Sequence, residues 1–258
     1  MVLPLGDDNS DRTRIPFVNY AFLAANVLVF VLLQGLGTNL GFTYSFSTVP
    51  QEIVSGRDLV TEGEVVLDPI SGDPLRLPGL GPTPISVYLT LLTSMFMHGG
   101  LGHLFGNMLY LWIFGDNLEN VLGHARYLLF YLLCGILAGL AHVFATAGLG
   151  GDMTVPSLGA SGAISGVQGG YILLFPHRRV RVMIWYRITE VPAVFVIGLW
   201  FFFQLVSGMG MLGAGAQRGG VAYAAHIGGF LAGVLLIKLF SPQIPPDARF
   251  PRHRPAWR

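Results

Sequence analysis

The residues of this chain that could do chemistry are a serine and a few histidines set in otherwise apolar sequence. Ser161 stands in the run Gly159-Ala160-Ser161-Gly162, at the start of a stretch with helical spacing. Flanking glycines permit a tight turn that exposes the hydroxyl, and the unpaired N–H groups of a helix N terminus can stabilise an oxyanion. The tetrapeptide alone fits better with a helix N-cap in a small-residue packing motif, so a catalytic role needs a partner elsewhere in the chain.

His226 is the candidate partner. Gly229 and Gly233 follow it at positions that share its helical face, and a similar four-residue glycine spacing follows Ser161. Small residues at this spacing let two membrane helices approach closely, which would bring the imidazole to the hydroxyl as its general base. A lone histidine in such a place is also compatible with a proton relay, a ligand or a satisfied core residue.

A third group comprises His98, His103 and Asn107. His103 and Asn107 are four residues apart, so both lie on one helical face and could donate hydrogen bonds to an oxyanion. Interhelical hydrogen bonding is the alternative. A zinc site formed by His98, His103 and His226 is conceivable, but no carboxylate, cysteine or H-E-x-x-H motif accompanies them, so no metal is predicted.

The composition excludes several classes of protein. Of 258 residues, 52% are hydrophobic and 11% are charged, whereas soluble domains carry roughly 25% charged residues. The aromatic content argues against a disordered chain. The net charge of +1 does not provide the basic surface that nucleic-acid binding needs, and a single cysteine excludes a disulfide framework. The chain is therefore predicted to be an all-α integral membrane protein.

Six stretches are long or apolar enough to be predicted as membrane spans. They run approximately over Phe17–Leu36, Leu101–Leu118, Tyr127–Ala147, Ser161–Phe175, Val191–Val206 and Val221–Phe240. With both termini on one side, all lysines and arginines except Arg57, Arg76 and Arg218 fall on that side. Because basic residues accumulate on the cytoplasmic side, the chain is predicted to cross the cell inner (plasma) membrane with both termini cytoplasmic.

This topology divides the chain into three parts. Residues 1–16 form a short cytoplasmic N terminus, 17–240 a six-span membrane domain, and 241–258 a Pro- and Arg-rich cytoplasmic tail. Within the membrane domain, 37–100 is a long external loop of irregular and amphipathic pieces. No cleavable signal peptide is predicted. Trp112, Trp185 and Trp200 are expected at the membrane interface or facing lipid.

Taken together, these motifs resemble the rhomboid intramembrane serine proteases, close to their basic bacterial six-span form. The resemblance rests on His98, His103 and Asn107, on Gly159 to Gly162, and on Ala225 to Gly229 with Gly233. The stretch from Phe114 to Glu119 followed by Gly123 also resembles the family's end of the second span. The likeness extends from about Phe17 to Phe240.

The resemblance implies a compact rhomboid-like helical bundle with a Ser–His dyad. Ser161 is then the nucleophile, His226 the general base, and His103, Asn107 and the Ser161 backbone N–H the oxyanion hole. The implied activity is that of a serine endopeptidase that cleaves transmembrane segments of membrane-anchored proteins without a cofactor. No acidic residue lies mid-span, and an apolar environment favours a neutral imidazole that can accept the serine proton.

Two departures from the family pattern have consequences. Ser165 occupies a position where many members carry an aromatic residue that packs on the histidine, so the ring must be oriented by something else. The first loop lacks a Trp-Arg pair and carries a Pro-rich insertion instead. Two other functions remain open: a catalytically inactive relative that binds membrane clients, and a transporter that uses the intramembrane polar residues.

Overall fold

The protein is mostly helical, and its long helices are joined by short strands and turns. The structure, a computed structural model, describes residues 2–67, 74–213 and 223–241. The long helices are α1 (Phe17–Leu28, continued by a π turn over Val29–Leu33), α5 (Leu101–Leu122), α6 (His124–Gly148), α7 (Ser161–Leu174), α8 (Ala193–Gly213) and α9 (Tyr223–Phe240). The shorter elements are β1 (Val2–Asp7), α2 (Leu40–Ser45), α3 (Pro50–Ser55), β2 (Glu64–Leu67), β3 (Pro74–Leu77), α4 (Thr90–Thr93), β4 (Arg179–Ile184) and β5 (Arg187–Pro192).

Helix α7 is the centre of the bundle. Helices α5, α6 and α9 pack around it, and its residues from Gly162 to Tyr171 are all buried. Five residues in this range are glycine or alanine, and these small side chains let the neighbouring helices approach the backbone of α7 closely. Helix α8 packs against α9 at the edge of the bundle.

The predicted glycine contact between α7 and α9 is confirmed. A side-chain carbon on Gly229 would overlap the carbonyl oxygen of Gly162, and one on Gly233 would overlap the carbonyl oxygen of Gly166. Because the obstacle in both cases is backbone, no rotamer change could make room. The two helices can lie this close only with glycine at both positions.

The outer surface of the bundle carries large apolar side chains on several helices. Examples are Leu32 on the π turn, Phe144 on α6, Phe195 on α8 and Leu235 on α9, each more than 60% exposed. Such a distribution suits contact with lipid chains. Within the described residues, His124–Gly148 and Tyr223–Phe240 are long and apolar enough to cross a membrane, and Phe17–Leu33, Val87–Phe96 and Ala193–Gly208 are shorter apolar helical stretches. The count of six spans therefore stays a prediction.

The segment between α1 and α5 folds back onto the start of α7. It contains α2, α3, the antiparallel hairpin β2–β3, and α4. Thr48 forms a two-way backbone bridge with Ser157, at N–O distances of 2.9 and 2.8 Å, and its hydroxyl donates to the Thr90 carbonyl oxygen at 3.0 Å. Gly159 N–H donates to the carbonyl oxygen of Ser94 at 2.9 Å. This long connection therefore fixes the turn that leads into Ser161.

At the opposite end of α7 lies a three-stranded antiparallel sheet. This sheet was not predicted from the sequence. The strand order is β1-β4-β5, with β4 in the centre and an irregular register between Pro4 and Gly6. Val180 and Val182 point into the hydrophobic core, while Arg179 and Arg181 are exposed. Trp185, at the turn between β4 and β5, is 80% exposed. The alternation of arginine and valine is the sequence signal for this sheet.

Acidic residues near the end of α5 hold the N-terminal segment. The Glu119 carboxylate accepts hydrogen bonds from the backbone N–H groups of Val18 and Asn19, at 3.0 and 2.7 Å. These N–H groups belong to the first turn of α1, whose N-cap residue provides no side-chain hydrogen bond, so Glu119 caps this helix from α5. Asp116 pairs with Arg12 at 2.8 Å. These contacts align α1 with α5 and thereby the elements that carry the site.

Candidate active site

The site is built around the N terminus of α7, which begins at Ser161. Its N-cap residue, Ala160, has no side chain that could cap this helix end, so the first backbone N–H groups of α7 are open to another acceptor. Gly159 precedes it with φ of +125°, a conformation that residues with a side chain rarely adopt. A carbon placed on Gly159 would lie 3.0 Å from Nε2 of His103 and 3.5 Å from Oγ of Ser161. Glycine therefore keeps open a small space between the hydroxyl and this imidazole.

The structure brings Ser161 and His226 together. Nε2 of His226 lies 2.7 Å from Oγ of Ser161, across the glycine contact between α7 and α9. His226 is buried and Ser161 is half-buried. A buried imidazole at hydrogen-bond distance from a hydroxyl can accept its proton.

Three residues outside the predicted set surround the His226 ring. Nδ1 of His226 lies 2.7 Å from Oε1 of Gln204 on α8. The Trp200 ring, also on α8, has its centroid 5.9 Å from the imidazole, and the Tyr223 ring approaches edge-on at 6.4 Å. Trp200, which was expected at the interface or facing lipid, is half-buried beside the histidine.

Sequence reasoning could have found Gln204 from its position. It follows three phenylalanines in the apolar run of α8, and a polar side chain in such a run is costly unless it has a partner. The rule that makes the intramembrane histidines candidates therefore applies equally to this glutamine.

Ser165, at the position where many relatives carry an aromatic residue, is hydrogen-bonded within its own helix. Its hydroxyl donates to the carbonyl oxygen of Ser161 at 2.6 Å, one turn back in α7.

His103 has a defined tautomer. Its Nδ1 accepts a hydrogen bond from the backbone N–H of Gly99 at 3.2 Å, so in the neutral ring the proton is on Nε2. Nε2 is the atom that borders the space next to Gly159 and Ser161. His103 therefore presents an N–H donor to a group bound beside the serine hydroxyl.

The turn that carries Gly99 is held by a buried glutamine. The side chain of Gln34 accepts the backbone N–H of His98 and donates to the His98 carbonyl oxygen, both at 2.9 Å. It also donates to the Thr43 hydroxyl at 2.9 Å. Gln34 thus fixes the start of α5, and through Gly99 the orientation of His103.

Asn107 lies one turn further along α5, which packs against α7. Its side chain is buried, and among the described residues its amide nitrogen has no hydrogen-bond partner. An unpaired buried N–H₂ group is costly and is explained when a ligand atom completes it.

His98 lies edge-on to His103, with ring centroids 5.2 Å apart, and is fully buried. In the part of the chain that the structure describes, neither of its ring nitrogens has a partner, and no group of three or more His, Cys, Asp or Glu side chains is arranged to hold a metal ion.

The arrangement combines a hydroxyl, a proton acceptor and convergent N–H donors at one end of a buried helix. The acceptor is on α9, the donors are on α5 and at the start of α7, and no carboxylate is among the groups described above. Such a set can activate a hydroxyl for attack on a carbonyl and stabilise the oxyanion that forms.

Comparison with known proteins gives the family. The model of the Rhomboid domain matches residues 86–243. Similar proteins include the mitochondrial Rhomboid protein 1 of Saccharomyces cerevisiae, 33% identical over 57% of this chain and 40% of its own length. The Rhomboid protease GluP of Bacillus subtilis is 31% identical over 84% of this chain and 34% of its length.

The human mitochondrial presenilin-associated rhomboid-like protein is also similar, at 31% identity over 42% of this chain and 31% of its own length. The match thus covers well under half the length of each of these relatives. The domain match covers more than half of this chain and contains the helices that carry the site residues. The chain belongs to the rhomboid family of membrane proteins.

Proposed function

We propose that the protein is an intramembrane serine endopeptidase that cleaves transmembrane segments of membrane-anchored proteins. The observation that carries this proposal is the 2.7 Å contact between Ser161 Oγ and His226 Nε2 at the N terminus of a buried helix. The similarity to a bacterial protein named as a rhomboid protease supports it.

In this reaction His226 is the general base and Ser161 the nucleophile. Nε2 takes the hydroxyl proton as Oγ attacks the scissile carbonyl carbon, and it then returns the proton to the departing amine. Water subsequently attacks the acyl-enzyme ester, again with His226 as base, and releases Ser161. The exposure of His103 beside the hydroxyl suits an open route for that water.

The oxyanion is stabilised by three donors. Nε2–H of His103 borders the space beside Ser161, Asn107 brings its unpaired amide, and the backbone N–H of Ser161 is at the positive end of α7. The His103 ring is held by Gly99 and the Ser161 N–H by the helix before substrate arrives, which is the condition for strong stabilisation in a water-poor site.

For the topology we propose six spans formed by α1 and α5 to α9, with both termini cytoplasmic in the plasma membrane. The sheet end of the bundle then faces the cytoplasm, because Arg12, Arg126, Arg178 and Arg179 cluster there. Ser161 lies at the other end of α7 and opens to the outside. Substrate helices reach it from the bilayer and must unwind locally, because a helical peptide bond is shielded by its own hydrogen bonds.

Labelling with a fluorophosphonate serine probe in proteoliposomes tests this function. Wild type is expected to label and to cleave a reporter transmembrane segment, Ser161→Ala to do neither, and His226→Ala to lose cleavage while the bundle stays folded. Equal labelling of wild type and Ser161→Ala would falsify the nucleophile assignment. A folded wild type that binds the segment but neither labels nor cleaves would favour the inactive client-binding relative, and vectorial solute uptake would favour the transporter.

A further inference from the structure

We infer that Gln204 is the positioning residue of the His226 base, taking the place of the acidic third member found in soluble serine proteases. The inference rests on the proposed function for its catalytic consequence. Its structural part, that Gln204 fixes the proton on one ring nitrogen, stands on the contacts of the two residues.

The geometry of the two histidine contacts defines the tautomer. Oε1 of Gln204 is a carbonyl oxygen and can only accept, so Nδ1 at 2.7 Å must donate. In a neutral imidazole the proton is then on Nδ1, and Nε2 keeps the lone pair that faces Ser161 Oγ at 2.7 Å. This is the protonation state that a general base needs.

Gln204 suits this position better than a carboxylate would in an apolar bundle. It is half-buried, and its neighbours along α8 include the exposed Phe202 and Phe203. An ionised side chain among such residues is costly in a membrane, whereas an amide supplies the acceptor without a net charge. Because the amide is uncharged, it stabilises the imidazolium less than a carboxylate would.

The aromatic contacts do not replace this function. Trp200 and Tyr223 limit the space around the ring but supply no acceptor in the contacts they make with it. Ser165, at the family's aromatic position, is bonded back to its own helix. In the described part of the chain, Gln204 is therefore the group that selects between the two tautomers.

The first measurement is independent of activity. Nitrogen-15 NMR of histidine-labelled protein, with His226→Ala to identify the signals of that residue among the seven histidines, is expected to show a protonated Nδ1 and an unprotonated Nε2. Gln204→Met has similar length and no carbonyl acceptor, so a population with the proton on Nε2 should appear. A wild-type proton on Nε2, or an unchanged tautomer in Gln204→Met, would overturn the inference.

The second measurement is the kinetics of cleavage. Gln204→Met is expected to lower kcat by about 10- to 100-fold, the range for orienting partners of histidine ligands, with little change in KM. Gln204→Glu restores an acceptor oxygen and should recover much of the loss. The matched control is Phe203→Leu at the neighbouring position of the same helix, where the side chain is exposed.

The outcomes separate the two proposals. If the NMR tautomer changes as expected while folded wild type does not cleave, the positioning role holds and the proposed function fails. If wild type cleaves while Gln204→Met is fully active, the positioning role fails and the proposed function stands. A rise in KM with unchanged kcat would also reject it, since that pattern belongs to a residue that contacts substrate.

Discussion

The carbonyl oxygen of Gly162 on α7 occupies the position that a side chain on Gly229 of α9 would need. This backbone contact involves the residue that directly follows Ser161 on α7 and a residue one turn after His226 on α9. It sets the separation of the two helices and, through it, the 2.7 Å distance between hydroxyl and imidazole.

Gly229→Ala should therefore destabilise the bundle and separate the pair. Overpacking of this kind costs about 1–3 kcal/mol in the free energy of unfolding, and here the obstacle is backbone. Gly198→Ala on α8, where no atom lies within 4 Å of the added carbon, is the matched control and should be neutral or slightly stabilising. Denaturant titration in detergent measures both. Equal stability of the two variants would mean that α7 and α9 are not in this contact.

The space beside Gly159 gives a prediction about catalysis alone. Gly159→Ala places a carbon 3.0 Å from His103 Nε2, in the space next to Ser161, and strains a backbone at φ of +125°. We expect cleavage to fall by at least about 10²-fold, the loss of one oxyanion donor, while binding of the substrate segment persists. A Gly159→Ala enzyme with wild-type kcat would show that this space does not hold the reacting carbonyl.

Removal of His103 tests the tautomer assigned to it. His103→Ala deletes the Nε2–H donor and should lower kcat by about 10²–10³-fold with little change in KM. Gln34→Leu should have a smaller effect of the same kind, because it loosens the turn that holds Gly99 against Nδ1 of the ring. Stopped-flow or gel-based cleavage assays suffice. An increase in KM with full kcat for His103→Ala would assign the residue to substrate binding.

Asn107 allows a sharper comparison, because aspartate has the same shape. Asn107→Ala removes a hydrogen-bond donor that is unpaired among the described residues. Asn107→Asp removes the same donor and places a carboxyl oxygen, which repels the developing oxyanion when it is ionised, at that position. Cleavage is therefore expected to fall in the order wild type, alanine, aspartate, with about 10²–10³-fold between the first two. Aspartate more active than alanine would contradict an oxyanion role.

Much of this architecture could be predicted from the sequence, since long apolar runs and glycine spacing are strong signals. The helices lie within or close to the predicted runs, and the α7–α9 contact follows from Gly229 and Gly233. The end of α5 extends to Leu122 rather than Leu118, because Glu119 is satisfied by the N–H groups of α1 and does not need water.

Other features could not be predicted because they depend on contacts distant in sequence. Strand β1 is defined by its pairing with β4, which is more than 170 residues away in the chain, so no local pattern predicts it. The β4–β5 turn uses Trp185 and Tyr186 at positive φ, where Asn-Gly is the usual hairpin signal, so the hairpin has no turn signature. Gln204 reaches His226 from a neighbouring helix, and no motif links the two.

The last prediction concerns the carboxyl of Asp7, which β1 inserts against the far end of α7. Its Oδ2 accepts from the Tyr171 hydroxyl and from the Asn117 amide, while Oδ1 has no hydrogen-bond partner among the described residues. Burial is the main cause that raises the pKa of Asp7 from 3.8 to about 7, Asp116 raises it further, and Tyr171, Asn117 and Arg178 act in the opposite direction.

Because the folded state raises this pKa, folding favours the protonated carboxyl. The stabilisation of β1 is full below pH 3.8, declines as the pH rises to about 7, and is lost above that value. The total change is on the order of 4 kcal/mol as an upper limit, from 1.36 kcal/mol per pKa unit. Asp7→Asn removes the titrating group and should make the docking of β1 independent of pH.

Hydrogen–deuterium exchange of the β1 amides at pH 5.5 and 8, corrected for intrinsic rates, measures this. Wild type should exchange faster at pH 8 and Asp7→Asn equally at both. Asp152→Asn, in a turn at the other end of the bundle where the carboxyl accepts from the backbone N–H and hydroxyl of Thr154, is the control and should behave as wild type. A pH effect of the same size in Asp7→Asn would show that another group controls the docking of this strand.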